Sequence, residues 1–447
     1  AMTLPGFRPE VGDMFGQKKH GGFLAPGMDF AFGFTGDGYI DRALQNDWLI
    51  CNDSVVSPAS SNALEDLQLR ISLEPIRDLK IDLTANRTRN RSREIQYMFE
   101  GMPDTRSGNF SMSIISIGSA FERPSAGDGY HSGTFERFRR NLDVIRDRVE
   151  SQFLGAQYPQ GSALAGKTFD PANGTISKHS PDVMIPAFLA AYTGRSARNS
   201  ALDFFPSLFS MMPNWRITYT GLTKIAWFKK NFRSVNLNHA YRSTYSVGSY
   251  NTFQSFMSYM GDIGFVEDVQ SGNPIPSSRF DISMVSINEQ FSPLIGMDAT
   301  LKNGLTAKVD YKTIRILNLR LSACQLVETA TRDFVIGLGY KIVNFNLFSG
   351  RNVKDSKNRV SHDLALRADI SFRNQSALCR DIQQGVAQAT NGNKALKISC
   401  SADYTLSRLL TLRLYYDRQQ ITPLISSSSY PVVSADFGFS MKFSLTR

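Results

Sequence analysis

The strongest constraint on the fold is an alternation of apolar and polar side chains that runs through long stretches of the C-terminal half of the chain. Side chains at every second position lie on the same face of a β-strand, so a period of two predicts strands with one apolar and one polar face. The stretches that alternate in this way are 305–321, 364–373, 396–404, 410–416 and 435–446. The pattern therefore predicts an all-β fold.

The length of these strands separates two kinds of all-β protein. Segments of about ten alternating residues are typical of transmembrane antiparallel β-barrels. A β-sandwich gives a similar alternation, but its strands average nearer five or six residues. Asn303-Gly304 is a strong signal for a two-residue hairpin in which both residues take a positive φ. Leu406-Ser407-Arg408 predicts another tight turn, and longer polar connections are expected at 374–393 and 421–433. Short turns alternating with long loops predict a membrane barrel whose C-terminus lies on the periplasmic side.

Composition supports a folded β protein and excludes a helical membrane protein. The longest uncharged apolar run extends from Val183 to Gly194, short of the roughly 20 residues that a membrane-spanning helix needs. Aromatic residues make up 11% of the chain, which argues against disorder. The net charge of +10 suits an anionic partner without choosing among nucleic acid, lipid headgroups and lipopolysaccharide. The first residues lack signal-peptide features, so we expect a mature chain or one that does not begin where its gene product begins.

The first half of the chain combines strands with a helical insertion. Residues 67–73 alternate, and residues 79–99 predict either one very long strand or two strands joined near Asn90. Ser180-Pro181 predicts a helix start and Gly194 its end. An earlier amphipathic helix is indicated by Phe135, Phe138, Leu142, Ile145, Val149 and Phe153. The predicted divisions are a loop-rich N-terminal segment (1–66), the first barrel strands (67–120), a helical insertion outside the barrel wall (121–212) and the C-terminal barrel strands and loops (213–447).

The charged residues of the strands are candidates for the lining of a hydrated lumen. On the lipid face each charge would cost roughly 2–4 kcal/mol at the bilayer midplane, so their polar parity predicts that they face the lumen. The predicted lumen-facing residues are Lys308, Asp310, Lys312, Arg320, Arg367, Asp369, Arg413, Asp436 and Lys442. A further run, Arg87, Arg89, Arg91 and Arg93, is expected on a solvated or lipopolysaccharide-facing rim. It lacks the aromatic interleaving of a nucleic-acid site, so nucleic acid is not an expected partner.

The charged helix of the insertion is a candidate for docking a partner protein, since a simple barrel does not need it. The residues expected to contact that partner are Phe135, Arg139, Arg140 and Arg146.

Catalytic and metal-binding motifs do not occur in the sequence. His239 and His362 share the parity of apolar neighbours and are expected to pack, and there is no Gly-x-Ser-x-Gly elbow or Cys-x-x-Cys cluster. Gly337 and Gly339 are expected on the lumen side of a strand. Cys379 is expected in a loop and Cys400 on an apolar strand face, which argues against a disulfide between them. We therefore predict no enzymatic activity, no metal and no cofactor.

A family resemblance is carried by segments spread along almost the whole chain. They are GFLAPGMDFAFGF (22–34), EPIRDLKIDLTANRT (74–88), DVMIPAFLAAYTG (182–194), the stretch 214–252, INEQFSPLIGMDATLKN (287–303) and DFVIGLGYKI (333–342). In this order they resemble the C-terminal part of the SprA/Sov family, the giant outer-membrane translocons of the type IX secretion system in Bacteroidota. Members of that family are far longer than this chain, which would also explain the missing signal peptide.

The resemblance implies about a dozen strands of a single very large barrel, of the class with about 36 strands, in the outer membrane of a Gram-negative bacterium. The last strand would pair with the remaining N-terminal portion of the same barrel. Folded cargo proteins with a C-terminal targeting domain would cross from the periplasm to the cell surface. A lateral gate would engage a PorV-type shuttle barrel and a periplasmic plug protein in turn, with outer-membrane lipid and lipopolysaccharide around the wall.

Two other classes of protein remain open. A self-contained barrel of about 12 to 14 strands, acting as a porin or solute transporter, fits composition and periodicity equally well, and only the resemblance counts against it. An outer-membrane barrel enzyme would need a nucleophile and a base within hydrogen-bond reach on adjacent strands.

Overall fold

The computed structural model describes residues 2–6, 38–52, 54–99, 104–122, 124–171, 176–268, 271–343, 345, 363–406, 410–425 and 430–443. Within these residues the strands are β1 (Met2–Thr3), β2 (Ala59–Ile76), β3 (Leu79–Ile95), β4 (Asp104–Ser113), β5 (Asn214–Tyr219), β6 (Phe232–Thr252), β7 (Met257–Met260), β8 (Ile263–Glu267), β9 (Pro274–Ser278), β10 (Phe280–Ile282), β11 (Met284–Leu301), β12 (Leu305–Arg320), β13 (Gln325–Ile342), β14 (Leu364–Asp381), β15 (Ala387–Thr405), β16 (Leu410–Pro423) and β17 (Val432–Phe443). The α-helices are α1 (Gly38–Gln45), α2 (Gly133–Phe153), α3 (Pro181–Tyr192) and α4 (Ala226–Asn231). Short 3₁₀ turns cover Ile117–Ser119, Ala126–Asp128, Leu208–Ser210 and Gly221–Lys224.

One antiparallel sheet contains most of these strands. Among the described residues it has 14 strands, in the order β1-β2-β3-β4-β6-β11-β12-β13-β14-β15-β16-β17, with β5 and β10 beside this path. The strands β7, β8 and β9 form a separate small sheet. β1 and β17 stand at the two ends of the order, and no described residue of one pairs with the other. The predicted fold class, an all-β antiparallel barrel wall with a helical insertion, is confirmed.

The two rims of the sheet serve as reference points. We call the rim with the β11–β12 turn and the end of β17 the proximal rim, and the opposite one the distal rim. The proximal turn at 302–304 falls where a hairpin was predicted, and Gly304 has φ +89°. The prediction that both turn residues take a positive φ is wrong for Asn303, whose side-chain Oδ1 instead accepts a hydrogen bond from the Leu305 N–H at 3.0 Å. A glycine in the left-handed region after a type I turn is another common hairpin geometry.

Some strand and loop boundaries in the structure differ from the predicted ones. The stretch 79–99 forms a single strand, β3, which ends at Ile95, and β2 begins at Ala59 rather than at 67. The polar connection expected at 374–393 is wrong, because β14 continues to Asp381 and β15 resumes at Ala387. Alternation is lost there because polar residues occupy both faces near the distal rim, while the backbone ladder continues. Residues 407–409 of the predicted Leu406–Arg408 turn lie outside the described residues.

A cap of helices and short strands covers part of one sheet face. The cap comprises the described residues of 114–213 together with β7, β8 and β9. The apolar stripe predicted for α2 is confirmed, since all of its predicted members are buried. Ser180 precedes α3 and Gly194 follows it with φ +71°, as expected. The cap and the strands beneath it share one core, which includes Phe138, Phe188, Tyr245, Ile287 and Leu317.

None of the helices in the described ranges is long and apolar enough to cross a membrane.

Candidate functional site

The register assigns each side chain of the sheet to one of two faces. We call the face that bears Lys308 the polar face and the face that bears its neighbour Val309 the apolar face. Lys308 stands opposite Gly337, which stands opposite Asp369, and the same row continues through Ser399 to Asp436 on β17. All of the predicted lumen-facing residues lie on the polar face: Lys308, Asp310, Lys312, Arg320, Arg367, Asp369, Arg413, Asp436 and Lys442.

Charges of both signs are interspersed on the polar face. Asp310 Oδ2 lies 3.3 Å from Lys308 Nζ and 3.9 Å from Lys312 Nζ. Arg413 Nε lies 3.7 Å from Asp403 Oδ1 on the neighbouring strand. Of these charges, the exposed pair of Arg413 and Asp403 contributes only about 0–1 kcal/mol to stability, whereas Asp310 is 7% exposed. Their arrangement suits a surface that stays hydrated without a strong field of one sign.

The apolar face presents a continuous band of exposed side chains. We call this band the apolar belt; its exposed members on the later strands are Phe334, Leu338, Tyr340, Leu366, Ile370, Phe372, Leu414, Tyr416, Phe437, Phe439 and Met441. Phe437 is 72% exposed and Phe439 is 58% exposed. From Leu364 to Phe372 the belt runs about 27 Å along β14, which is the scale of the apolar band, about 25 Å tall, of a membrane barrel. Such a surface requires a lipid or protein cover, because leaving it in water costs about 25 cal/mol per Å².

The chain leaves the wall to form the cap part-way along one strand. β4 pairs with the distal part of β3 and β5 with its proximal part, so the two short strands together fill the place of one long strand between β3 and β6. Asn214 closes the break: its Nδ2 donates to Ser113 Oγ at 3.1 Å and its Oδ1 accepts from the Ser243 N–H at 2.8 Å. Ser113 Oγ also accepts from the Asn86 N–H at 3.0 Å. Side-chain hydrogen bonds thus replace the missing ladder at the point where the chain departs.

A buried ion pair joins the cap to the wall beside this break. Glu289 and Arg315 stand opposite each other on β11 and β12, and Arg315 Nη2 donates to Glu289 Oε2 at 2.7 Å. Arg315 Nη1 also donates to the Ser119 carbonyl at 2.6 Å, and Ser116 Oγ donates to Glu289 Oε1 at 2.6 Å. Glu289 is 2% exposed and Arg315 is 7% exposed. The segment at which the cap begins is therefore held by charged groups removed from water.

A second buried pair fixes the start of α2. Arg380 Nη2 on β14 donates to Glu328 Oε2 at 3.1 Å, and its Nη1 donates to the Tyr130 carbonyl at 2.6 Å. Its guanidinium lies 5.4 Å from the centre of the Phe135 ring. Arg380 is 1% exposed, so this pair also lies inside the interface between cap and wall.

The predicted docking residues have different surroundings. The expectation for Phe135 is wrong: its side chain is 2% exposed because it packs inward against Phe138 and Arg380. Arg139 Nε donates to the Ile382 carbonyl at 3.1 Å, so it binds the turn between β14 and β15. Arg146 pairs with Asp147 at 2.9 Å. Arg140 is exposed on α2 and remains a candidate for contact with another protein.

The arginine run of β3 lies on the apolar face but does not form a solvated rim. Arg93 is 5% exposed and donates to Asp41 and Asp104. Arg87 lies over the Phe110 ring and Arg89 over the Phe205 ring, at 5.3 and 4.8 Å from the ring centres. The expectation of a lipopolysaccharide-facing rim is wrong for these three arginines, because α1, β4 and, at Phe205, the cap cover their guanidinium groups.

The buried pairs have a signal in the sequence, although they match no motif. Glu289 lies between Ile287 and Phe291 at the apolar parity of β11, and Arg315 likewise precedes Leu317. A charged side chain at apolar parity has to be paired or covered by protein, because neither lipid nor an apolar core tolerates it alone. Such positions therefore mark where something other than acyl chains covers the wall.

The histidines and cysteines show no reactive arrangement in the described ranges. His239 Nδ1 lies 2.7 Å from the Leu294 carbonyl oxygen and its ring packs near Trp215 and Phe291; His362 lies outside the described residues. Cys379 is in β14 rather than in the predicted loop, and it faces Gln388, twelve positions from Cys400 along β15. Cys324, Cys379 and Cys400 form no disulfide. Among the described side chains, no group of three or more His, Cys, Asp or Glu could hold a metal ion.

Comparisons with known proteins give little information beyond the structure itself. No protein-family model matches the chain, and no curated protein matches it in sequence. Among solved structures the chain is similar to the trimeric, in-vitro folded form of OmpT, an outer membrane protein of Vibrio cholerae, with 9% identity, a TM-score of 0.22 and coverage of 87% of this chain and 99% of that one. OmpT expressed in the outer membrane of the same organism also has a TM-score of 0.22 at 9% identity, with coverage of 87% and 98%. Similarities at this level carry no argument about function.

Proposed function

We propose that this chain forms part of the wall of a protein-conducting outer-membrane barrel, the translocon of a type IX secretion system, which passes folded cargo from the periplasm to the cell surface. The observation that carries the membrane part of this proposal is the apolar belt, opposed across the sheet by a polar face of mixed charge. The assignment to a type IX secretion translocon rests on the resemblance of the sequence to the SprA/Sov family.

The open order of the sheet supports a wall that is larger than this chain. β17 pairs with β16 and leaves its other edge unpaired among the described residues. An unpaired edge inside a bilayer leaves backbone groups unsatisfied, so another strand has to cover it. In the proposed translocon that strand belongs to the remaining N-terminal portion of the barrel. The proposed partners are a PorV-type shuttle barrel, a periplasmic plug protein, cargo with a C-terminal targeting domain, and the surrounding lipid and lipopolysaccharide.

The mechanism is physical rather than chemical. The polar face offers a wet surface along which a folded protein can slide, since exposed pairs of both signs bind a passing surface weakly. In a very wide barrel the side chains cannot fill the lumen, so closure depends on partners. A self-contained porin or solute transporter is the alternative, favoured by the 12 strands in the order of the described sheet, a number at which autonomous barrels occur.

The first experiment measures the size of the native polypeptide in isolated outer membranes, with an antibody against residues 430–447. The translocon predicts a band far above the 49.9 kDa of this chain. Depletion of the protein should then cause secreted cargo to accumulate in the periplasm, while an unrelated outer-membrane barrel in the same cells stays at its normal level. A band near 50 kDa that shifts on heating, without cargo accumulation, would support the porin instead.

A further inference from the structure

The apolar belt ends, towards the distal rim, at a row of polar and basic side chains. Arg332, Asn374, Lys394 and Thr422 stand opposite one another on β13 to β16, all on the apolar face. We call these residues the basic border. The next row towards the proximal rim contains Phe334, Phe372 and Leu396. Both rows line one shallow pocket of about 370 Å³.

The basic border carries positive charge without a carboxylate partner in the described part of the chain. Lys394 is exposed, and Arg332 is half-buried with its Nη2 donating to the Glu122 carbonyl at 3.4 Å. The Glu122 carboxylate accepts hydrogen bonds from Ser132 and Thr134. Asp333 points to the polar face, where it pairs with Arg373 at 2.8 Å. Both cations of the border therefore remain available to an external anion.

The spacing of the two cations suits a single anionic group. Arg332 and Lys394 flank Asn374 on adjacent strands, so their Cα atoms are about 10 Å apart. Both side chains are long enough to reach an anion above Asn374, whose amide adds a hydrogen-bond donor, as does the Thr422 hydroxyl. Below the anion, the exposed Phe334 and Phe372 provide an apolar surface that continues into the belt.

We propose that this pocket binds a phosphate-bearing lipid of the surrounding bilayer, with the phosphate at Arg332 and Lys394 and an acyl chain along Phe334 and Phe372. The inference rests on the proposed membrane location but not on protein translocation. Free phosphate would gain nothing from the apolar floor, and an acidic peptide would leave its backbone polar groups against that floor. A lipid satisfies both parts of the pocket at once.

The test compares lipids that differ only in the phosphate. The protein is extracted from its own membrane into mild detergent, and bound lipid is measured by native mass spectrometry with phosphatidic acid, with diacylglycerol of the same chains, or with inorganic phosphate. Phosphatidic acid should bind, and the other two probes should bind at least about ten-fold more weakly, because each lacks one of the two contacts. Equal binding of inorganic phosphate, or equal binding of diacylglycerol, would overturn the proposal.

The variants separate this site from general attraction to a basic protein. Arg332→Gln with Lys394→Gln should lower phosphatidic acid binding by at least about ten-fold. The matched control, Arg320→Gln with Lys397→Gln, removes the same charge from the polar face of β12 and β15 and should leave binding unchanged. Equal losses in the two double variants would refute a defined site. If the protein binds phosphatidic acid specifically but its depletion does not block cargo secretion, the translocon proposal is disproved and the lipid site is still supported.

Discussion

The strands under the cap and the strands at the C-terminal end share one sequence pattern and have opposite environments. On the apolar face of the covered strands, Tyr245, Ile287 and Leu317 are fully buried. At the same parity on the later strands, Leu414 is 45% exposed and Phe437 72%. Alternation specifies which face a side chain occupies, but it does not specify what covers that face.

Charged side chains on the apolar face distinguish the strands under the cap from the belt of the later strands. Under the cap this face includes Glu289, Arg315, Glu328 and Arg380, each paired inside protein. Along β14 the belt from Leu364 to Phe372 carries Leu, Ala, Ile and Phe at that parity. A protein cover can satisfy a charge within the belt and acyl chains cannot, so charge at apolar parity, away from the basic border, indicates a protein cover.

The largest expected effect comes from breaking the buried pair under the cap. Arg315→Met leaves Glu289 buried without its cation and should cost about 3–5 kcal/mol of stability. The measurement is urea unfolding of the protein in lipid vesicles, together with tryptic cleavage within the cap. Arg413→Met, which breaks an exposed pair with Asp403, should cost no more than about 1 kcal/mol. Equal losses would show that the cap does not exclude water from Glu289.

The later strands, whose apolar face is not covered by the cap, should respond most strongly to a charge placed in the apolar belt. Leu338→Arg is expected to destabilise the protein in a bilayer by about 2–4 kcal/mol, because the guanidinium would face lipid. Vesicle-based unfolding compares it with Ser399→Arg, which lies on the polar face near Asp369 and Asp417 and should change stability by less than about 0.5 kcal/mol. If Ser399→Arg were the more damaging variant, the assignment of the two faces would be reversed.

A smaller effect is expected at the break between β4 and β5. Asn214→Ala removes the acceptor of the Ser243 N–H and the donor to Ser113, in a site that is 3% exposed, and should cost about 2–3 kcal/mol. Hydrogen exchange of the Ser243 amide should accelerate in parallel. Asn393→Ala on β15 serves as the control, with a change within about 0.5 kcal/mol. Unchanged exchange at Ser243 in the variant would mean that the break is held by other contacts.

The smallest effect concerns pH and the start of α2. Burial by itself would raise the pKa of Glu122, but hydrogen bonds from Ser132 and Thr134 and the nearby Arg315 outweigh it and lower that pKa. The stabilisation is therefore present above the unfolded-state pKa and is lost as the pH falls through the lower folded-state value. Glu122→Gln should cost about 1 kcal/mol at neutral pH and remove this acid-dependent part. Parallel stability curves for both proteins from pH 7 to pH 3 would contradict the assignment.

Long amphipathic elements could be predicted well from the sequence. The parity of the later strands, the buried stripe of α2 and the position of the turn at Asn303 all follow from local spacing. The distal ends of β14 and β15 could not be predicted, because their polar residues on both faces erase the period while the hydrogen-bonded ladder continues. Phe135 was correctly placed on the apolar face of a helix but wrongly expected to contact a partner protein, since periodicity does not say which element packs on that face.

The sequence by itself determined which residues share a face, because side-chain direction along a strand depends only on the local backbone. It thereby specified the polar face from Lys308 to Lys442 and the apolar face opposite. Only the tertiary structure decided that the wall strand is broken at Ser113 and Asn214, that the inserted cap returns onto the apolar face, and that Glu289 meets Arg315 there. These features join residues that are far apart in the chain, and no local period carries information about such contacts.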